Sequence, residues 1–139
     1  MWVIDASVAI KWFFEEEDGS LLAYRVLGLL VQKPDLFMVP TLFFIEFAAV
    51  ALKKSKDVNA SSLALDRLYR LGLHAVPEGE KLLAKALQLS HKFELSLYDG
   101  LYLAVASLMK AHWLTADERA VRRLPPSLAL SLRNFDASP

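Results

Sequence analysis

Four acidic residues stand where a carboxylate is expensive to keep. Asp5 follows the apolar run Trp2-Val3-Ile4, and Asp117 follows His112-Trp113-Leu114-Thr115 by one residue. Glu46 lies inside Thr41-Leu-Phe-Phe-Ile-Glu-Phe-Ala-Ala-Val-Ala-Leu52. Helical spacing gives it Leu42, Ala49 and Val50 as neighbours, with no cation within a turn. Asp99 lies inside Leu97-Tyr-Asp-Gly-Leu-Tyr-Leu-Ala-Val-Ala106, with Tyr102 and Leu103 one turn on. A charge on an apolar face is costly unless it is paired or holds a metal. Plainer roles exist for each. Asp5 and Asp117 suit helix N-caps, Ser96-x-x-Asp99 matches a capping box, and Glu46 can pair with a distant Arg or Lys.

Carboxylates gathered in one cleft repel and cannot all stay ionised in a dry site. A hard divalent cation resolves this, because Mg²⁺ and Mn²⁺ prefer oxygen ligands. The chain has no cysteine, and its histidines, His74, His91 and His112, are scattered without ligand spacing. Zinc is therefore disfavoured, and the histidines read as structural or surface residues. An acidic Mg²⁺ or Mn²⁺ site suits phosphodiester hydrolysis, by activating water and stabilising charge on the phosphate. A carboxylate can also serve as general base.

The elements that must bring these acids together are legible as short apolar strands alternating with helices. Strands are expected over 1–4, 36–39, 73–76, 112–115 and 128–132. Helices are expected over 8–14, 21–32, 41–54, 59–71, 78–91, 96–110 and 117–124, with a charged turn over 15–19. Pro34, Pro40 and Pro125-Pro126 mark boundaries. The helix carrying Glu46 is expected to be apolar almost all round. The alternation predicts an α/β chain with a parallel sheet covered on both faces. In such sheets ligands bind beyond the carboxyl ends of the strands, where Asp5 and Asp117 stand.

At 139 residues the chain is expected to form one domain, 1–139, and to bury enough surface to fold without staples. Hydrophobic residues make up 55% and charged residues 23%, which excludes a disordered chain. The absence of cysteine excludes a disulfide framework and a thiolate nucleophile, and fits a reducing compartment. Asp5 and Lys11 interrupt any signal-like start, and Val39 to Leu52 is too short for a membrane span. A cytoplasmic protein with no membrane partner is expected.

The motifs, taken in order, resemble those of the PIN-domain ribonucleases, especially VapC-type toxins of prokaryotic toxin–antitoxin pairs. Val3-Ile-Asp-Ala-Ser-Val-Ala-Ile-Lys-Trp12 is similar to the family's first strand and first acid. Pro40 to Leu52 is similar to its acid-bearing helix, Leu95 to Ala104 to its third acidic segment, and Leu114-Thr-Ala-Asp-Glu-Arg119 to its fourth. The resemblance spans essentially the whole chain. It implies a three-layer α/β/α sandwich around a mostly parallel sheet of four to five strands. It also implies metal-dependent RNA cleavage, with Asp5, Glu46, Asp99 and Asp117 as catalytic, metal-holding acids and Ser7 and Thr115 in support. A homodimer and an antitoxin partner are further implications. Two positions depart from the family pattern. Ala49 replaces a common Asn three residues after the helix acid, and Gly100 replaces the usual Ala after the third acid, which is expected to loosen that helix start.

An RNA substrate needs cations facing its phosphates. Arg119 and Lys11 are the leading candidates, with Lys53, Lys54, Lys56, Arg122 and Arg123 behind them. Sixteen Lys and Arg balance sixteen Asp and Glu, which at first argues against a nucleic-acid partner. Setting the four site acids aside leaves twelve acids against sixteen bases, and Glu15 to Asp18 concentrate four more acids in one turn. Two other readings stay open: a catalytically quiet PIN-like module that binds RNA or protein, and an acidic-site phosphatase. The second is disfavoured because Asp5-Ala6-Ser7 lacks the second Asp two residues on.

Overall fold

The structure, a computed structural model, describes residues 1–14 and 19–136. Most of the charged turn expected over 15–19 lies outside the described residues. Five short strands, β1 (Trp2–Ile4), β2 (Phe37–Pro40), β3 (His74–Val76), β4 (His112–Thr115) and β5 (Ala129–Ser131), form one sheet in the order β3-β2-β1-β4-β5. Every neighbouring pair is parallel. The helices among the described residues are α1 (Ala6–Phe13), α2 (Ser20–Gln32), α3 (Leu42–Lys54), α4 (Val58–Arg70), α5 (Glu80–Phe93), α6 (Leu97–Leu108) and α7 (Glu118–Arg122).

The chain steps from β1 to β2 to β3, then returns over the sheet to β4 on the other side of β1. Right-handed crossovers place α1 to α4 on one face and α5 and α6 on the other. The contacts agree: α6 packs on β1, β2 and β4 with α5 against it, while α1 packs on α2 and α3. The expected α/β sandwich is therefore present, with an all-parallel sheet. Val3, Ile4, Phe37, Phe43, Phe47, Tyr102, Leu103, Trp113 and Leu114 are fully or almost fully buried between the layers. Each such large apolar side chain contributes about 1.5–3 kcal/mol by leaving water. The reversal of strand order falls between β1 and β4, so the crevice for a ligand opens beyond Ile4 and Thr115.

Several element boundaries differ from expectation for local reasons. Helix α1 begins at Ala6 rather than Val8, because the Asp5 side chain accepts from Ser7 N–H and the Asp5 carbonyl from Val8 N–H. Helix α5 begins at Glu80 rather than Glu78, because Glu78 turns away to cap α3, accepting from Leu42 N–H at 2.7 Å and from the Thr41 hydroxyl. Pro34–Leu36 forms a short 3₁₀ turn before β2. Helix α3 is not apolar all round in use: Phe43, Phe44 and Phe47 are buried, while Ile45 and Leu52 face solvent.

The looser helix start expected at Gly100 is corrected. Gly100 is buried where α6 crosses α5, and a Cβ placed there would lie 2.0 Å from Ser90 Oγ and 2.9 Å from the Ala86 carbonyl. Ser90 Oγ in turn donates to the Ser96 carbonyl at 3.1 Å. Glycine here brings two helices close together.

Candidate active site

Asp5 leaves the end of β1 and caps α1, its Oδ2 accepting from Ser7 N–H at 2.9 Å. Its Oδ1 accepts from the indole Nε1–H of Trp113 on β4 at 3.3 Å. The carboxyl is half-buried, and its backbone N–H continues the sheet by bonding to the Leu114 carbonyl. Burial pushes its proton affinity up, and the charge of Asp117 adds to this against the hydrogen bonds from Ser7 and Trp113.

Asp117 caps α7, its Oδ1 accepting from Arg119 N–H at 3.0 Å and Ala120 N–H at 3.4 Å. Asp99 enters on the first turn of α6, where Ser96 Oγ accepts its backbone N–H at 3.1 Å, so the forward half of the expected capping box forms. Burial, then the charges of Asp5 and Asp117, raise the Asp99 carboxyl to about 6. Glu46, from α3, is half-buried, and its Oε1 is buried without a hydrogen-bond partner among the described residues. Burial raises its proton affinity, the Tyr102 hydroxyl works against this, and the charges of Asp5 and Asp99 raise it further. The fold thus brings all four predicted acids into one electrostatic neighbourhood. Among the described residues, the charges that act on Asp5, Glu46 and Asp99 are those of their fellow carboxylates.

Ser7 and Thr115 do cooperate. Ser7 Oγ accepts from Ala116 N–H at 3.0 Å, Thr115 Oγ1 accepts from Asp117 N–H at 3.1 Å, and the two hydroxyls lie 3.4 Å apart. They lock the turn that carries Asp117 to the turn that carries Asp5. Arg119 is exposed and lines a cavity of about 160 Å³ with Ser96, Asp99, Asp117 and Arg123. Arg123 also donates to the Glu94 carbonyl at 2.9 Å. Lys11 is placed differently. It is only 7% exposed and lines a separate cavity of about 250 Å³ with Glu118 and Arg133, apart from the cavity that holds Asp99 and Asp117. Ala49 is exposed, three residues beyond Glu46 on α3.

Among the described residues, no three Asp, Glu, His or Cys side chains converge closely enough to hold a metal ion between them. The donor chemistry nonetheless fits a hard cation: the donors are all carboxylate oxygens, neighbouring carboxylates raise the proton affinity of Asp5, Glu46 and Asp99, and one buried oxygen of Glu46 has no partner among the described residues. Two residues escaped the sequence reading. Trp113 and Tyr102 carry no charge and read as core, yet Trp113 binds Asp5 and Tyr102 lies beside Glu46. The only sequence signal was a polar tip on a large ring in an otherwise aliphatic segment.

A family model described as PIN domain matches residues 2–125. A search of the curated proteins by sequence returns no match. Among solved structures, the chain is similar to PAE2754 from Pyrobaculum aerophilum, with a TM-score of 0.72 and 16% identity over 95% of this chain and 89% of that one. It is also similar to VapBC2 from Rickettsia felis bound to a DNA fragment from its promoter, with a TM-score of 0.72 and 16% identity over 94% and 97%. A third is VapC20 from Mycobacterium tuberculosis, described as a sarcin-ricin loop cleaving toxin, with a TM-score of 0.72 and 14% identity over 91% and 100%. At these identities the likeness is one of fold.

Proposed function

The chain belongs to the PIN-domain family, and from that premise we propose that it is a metal-dependent endoribonuclease, the toxin of a toxin–antitoxin pair. The observation that carries this reading is the group of carboxylates at the β1–β4 switch point, drawn from four separate elements and acting on one another's charge. Perturbed carboxylates gathered in a crevice are a signature of functional sites. Asp5, Glu46, Asp99 and Asp117 would hold Mg²⁺ or Mn²⁺. When bound, the cation supplies charge stabilisation to a phosphodiester undergoing hydrolysis. Asp5 and Asp117, fixed as caps, orient the acids. Ser7 and Thr115 hold the two turns in register. Arg119 and Arg123 face the cavity at the Asp99–Asp117 edge and suit the RNA backbone.

The reading takes 1–139 as a single cytoplasmic domain that forms a homodimer and is held by an antitoxin. No helix among the described residues is long and apolar enough to cross a membrane. The structures of VapBC2 and of a toxin–antitoxin complex from Klebsiella pneumoniae, similar in fold, support the partner assignment.

The test is RNA cleavage by the purified, partner-free protein. Cleavage is expected with Mn²⁺ and is expected to disappear with chelator and in Asp5→Asn. No cleavage under any metal condition would sink the nuclease reading. A second reading, a PIN-like module that binds RNA or protein without cutting, draws on the lack of a preformed three-ligand group among the described residues and on Ala49. It predicts RNA or partner binding that survives Asp5→Asn, with no cleavage by the wild type.

A further inference from the structure

The Tyr102 side chain is fully buried and stacks on Trp113, with ring centroids 5.9 Å apart and planes 15° apart. Trp113, also fully buried, donates its indole N–H to Asp5 Oδ1. The Asp5 and Glu46 carboxylates and the backbone N–H of Ala6 are among the groups that act on the Tyr102 phenol. It is close enough to Glu46 for each to alter the other's proton affinity. Among the described residues, neither Tyr102 Oη nor Glu46 Oε1 reaches hydrogen-bond geometry with a partner, although both atoms are buried.

A buried donor and a buried acceptor left orphaned side by side are a mutual solution. Native proteins pair nearly all such atoms. A hydrogen bond between them would relieve both. Packing alone would be served by phenylalanine at 102, so the hydroxyl needs a reason to be there.

We propose that Tyr102 is a positioning residue: its O–H donates to Glu46 Oε1 and its oxygen accepts from Ala6 N–H. The phenol thereby ties the acid of α3 to the first turn of α1, next to Asp5. Trp113 completes the device by holding both the Tyr102 ring and Asp5, so one stacked aromatic pair beneath the site orients two acids from two different elements. Metal ligands are commonly oriented by such outer partners, and losing one costs about 10–100-fold in metal affinity or activity. The consequence for metal binding rests on the function proposed above, whereas the hydrogen bonds themselves do not.

The experiment uses the full chain carrying Tyr102→Phe, which keeps the ring and removes one oxygen, with Tyr98→Phe on the exposed part of the same helix as control. In the metal-free protein, the Ala6 amide and Glu46 side-chain carboxyl NMR resonances are expected to move in Tyr102→Phe and to stay in place in Tyr98→Phe. In the wild type, the Tyr102 hydroxyl proton is expected to be protected from exchange, a reading that needs no variant to fold. The Mn²⁺ dissociation constant is expected to rise about tenfold or more in Tyr102→Phe. Unmoved resonances with an unprotected hydroxyl overturn the proposal. So does Mn²⁺ binding within about twofold of wild type in Tyr102→Phe. If the wild type binds neither Mn²⁺ nor Mg²⁺, the metal reading fails, and the resonances alone decide for or against the hydrogen bonds.

Discussion

Substituting Gly100 by alanine tests whether the close approach of α5 and α6 is required. On helix propensity alone the change should stabilise by about 1 kcal/mol. The structure argues the reverse. The new methyl would sit 2.0 Å from Ser90 Oγ and 2.9 Å from the Ala86 carbonyl. The hydroxyl can rotate away, but this gives up its bond to the Ser96 carbonyl, worth about 0.5–1.5 kcal/mol. The carbonyl belongs to helix α5 and moves only with it, and such overpacking costs about 1–3 kcal/mol. The net expectation is a loss of roughly 1–3 kcal/mol, or a fall in Tm of about 3–10 °C for a chain of this length. Thermal unfolding followed by circular dichroism and calorimetry reads this directly. Ser90→Ala in the same chain removes the nearer clash and leaves Ser90 Cβ at an acceptable 3.4 Å, so the double variant should recover part of the loss. A Gly100→Ala protein as stable as wild type, or a double variant no better than the single, would refute the packing argument.

Other outcomes follow from the site. Asp99 holds its proton to about pH 6 when folded against 3.8 in the ordinary carboxyl, so the folded chain binds more proton between those values. The stability this contributes is complete below about 3.8 and is lost as pH rises through about 6. The metal-free protein should therefore melt higher at about pH 5 than at about pH 7.5, and Asp99→Asn should flatten that difference. Thr115→Val should leave Asp117 N–H without its acceptor and cost about 1–2 kcal/mol, visible in denaturant titrations, together with a fall in RNA cleavage. Arg119→Ala should leave Tm within about a degree, because the residue is exposed. It should weaken RNA binding and reduce the slope of log affinity against log salt by about one.

Much of the fold was legible because it rests on local signals. Proline boundaries, short β-branched runs and helical apolar spacing found the five strands and seven α-helices of the described residues to within a few residues. The strand-end acids Asp5 and Asp117 were legible for the same reason, and Glu46 and Asp99 stood out as charges among apolar neighbours. What escaped depends on contacts between remote segments. Glu78 caps a helix 36 positions earlier, and Trp113 reaches Asp5 across 108 positions. Neither leaves a mark in its own neighbourhood. The role of Gly100 was misread for the same reason, since only the position of α5 shows why a side chain is excluded. Lys11 looked like a surface cation by type, while the fold encloses it beside Glu118 and Arg133.

The double duty of Asp5 and Asp117 bears on how such a protein can change over generations. Both carboxylates terminate a helix as well as lending charge to the site. Asparagine terminates helices about as well as aspartate, so exchange at Asp117, whose Oδ1 alone accepts both N–H groups, removes charge while sparing the architecture, whereas at Asp5 both oxygens accept and an amide NH2 would face a donor. That exchange takes a single nucleotide. On the nuclease function proposed above, a lineage carrying this scaffold stands one mutational step from a folded, inert descendant, free to be recruited for binding alone. Glu46, in the middle of α3, offers no such route through helix capping.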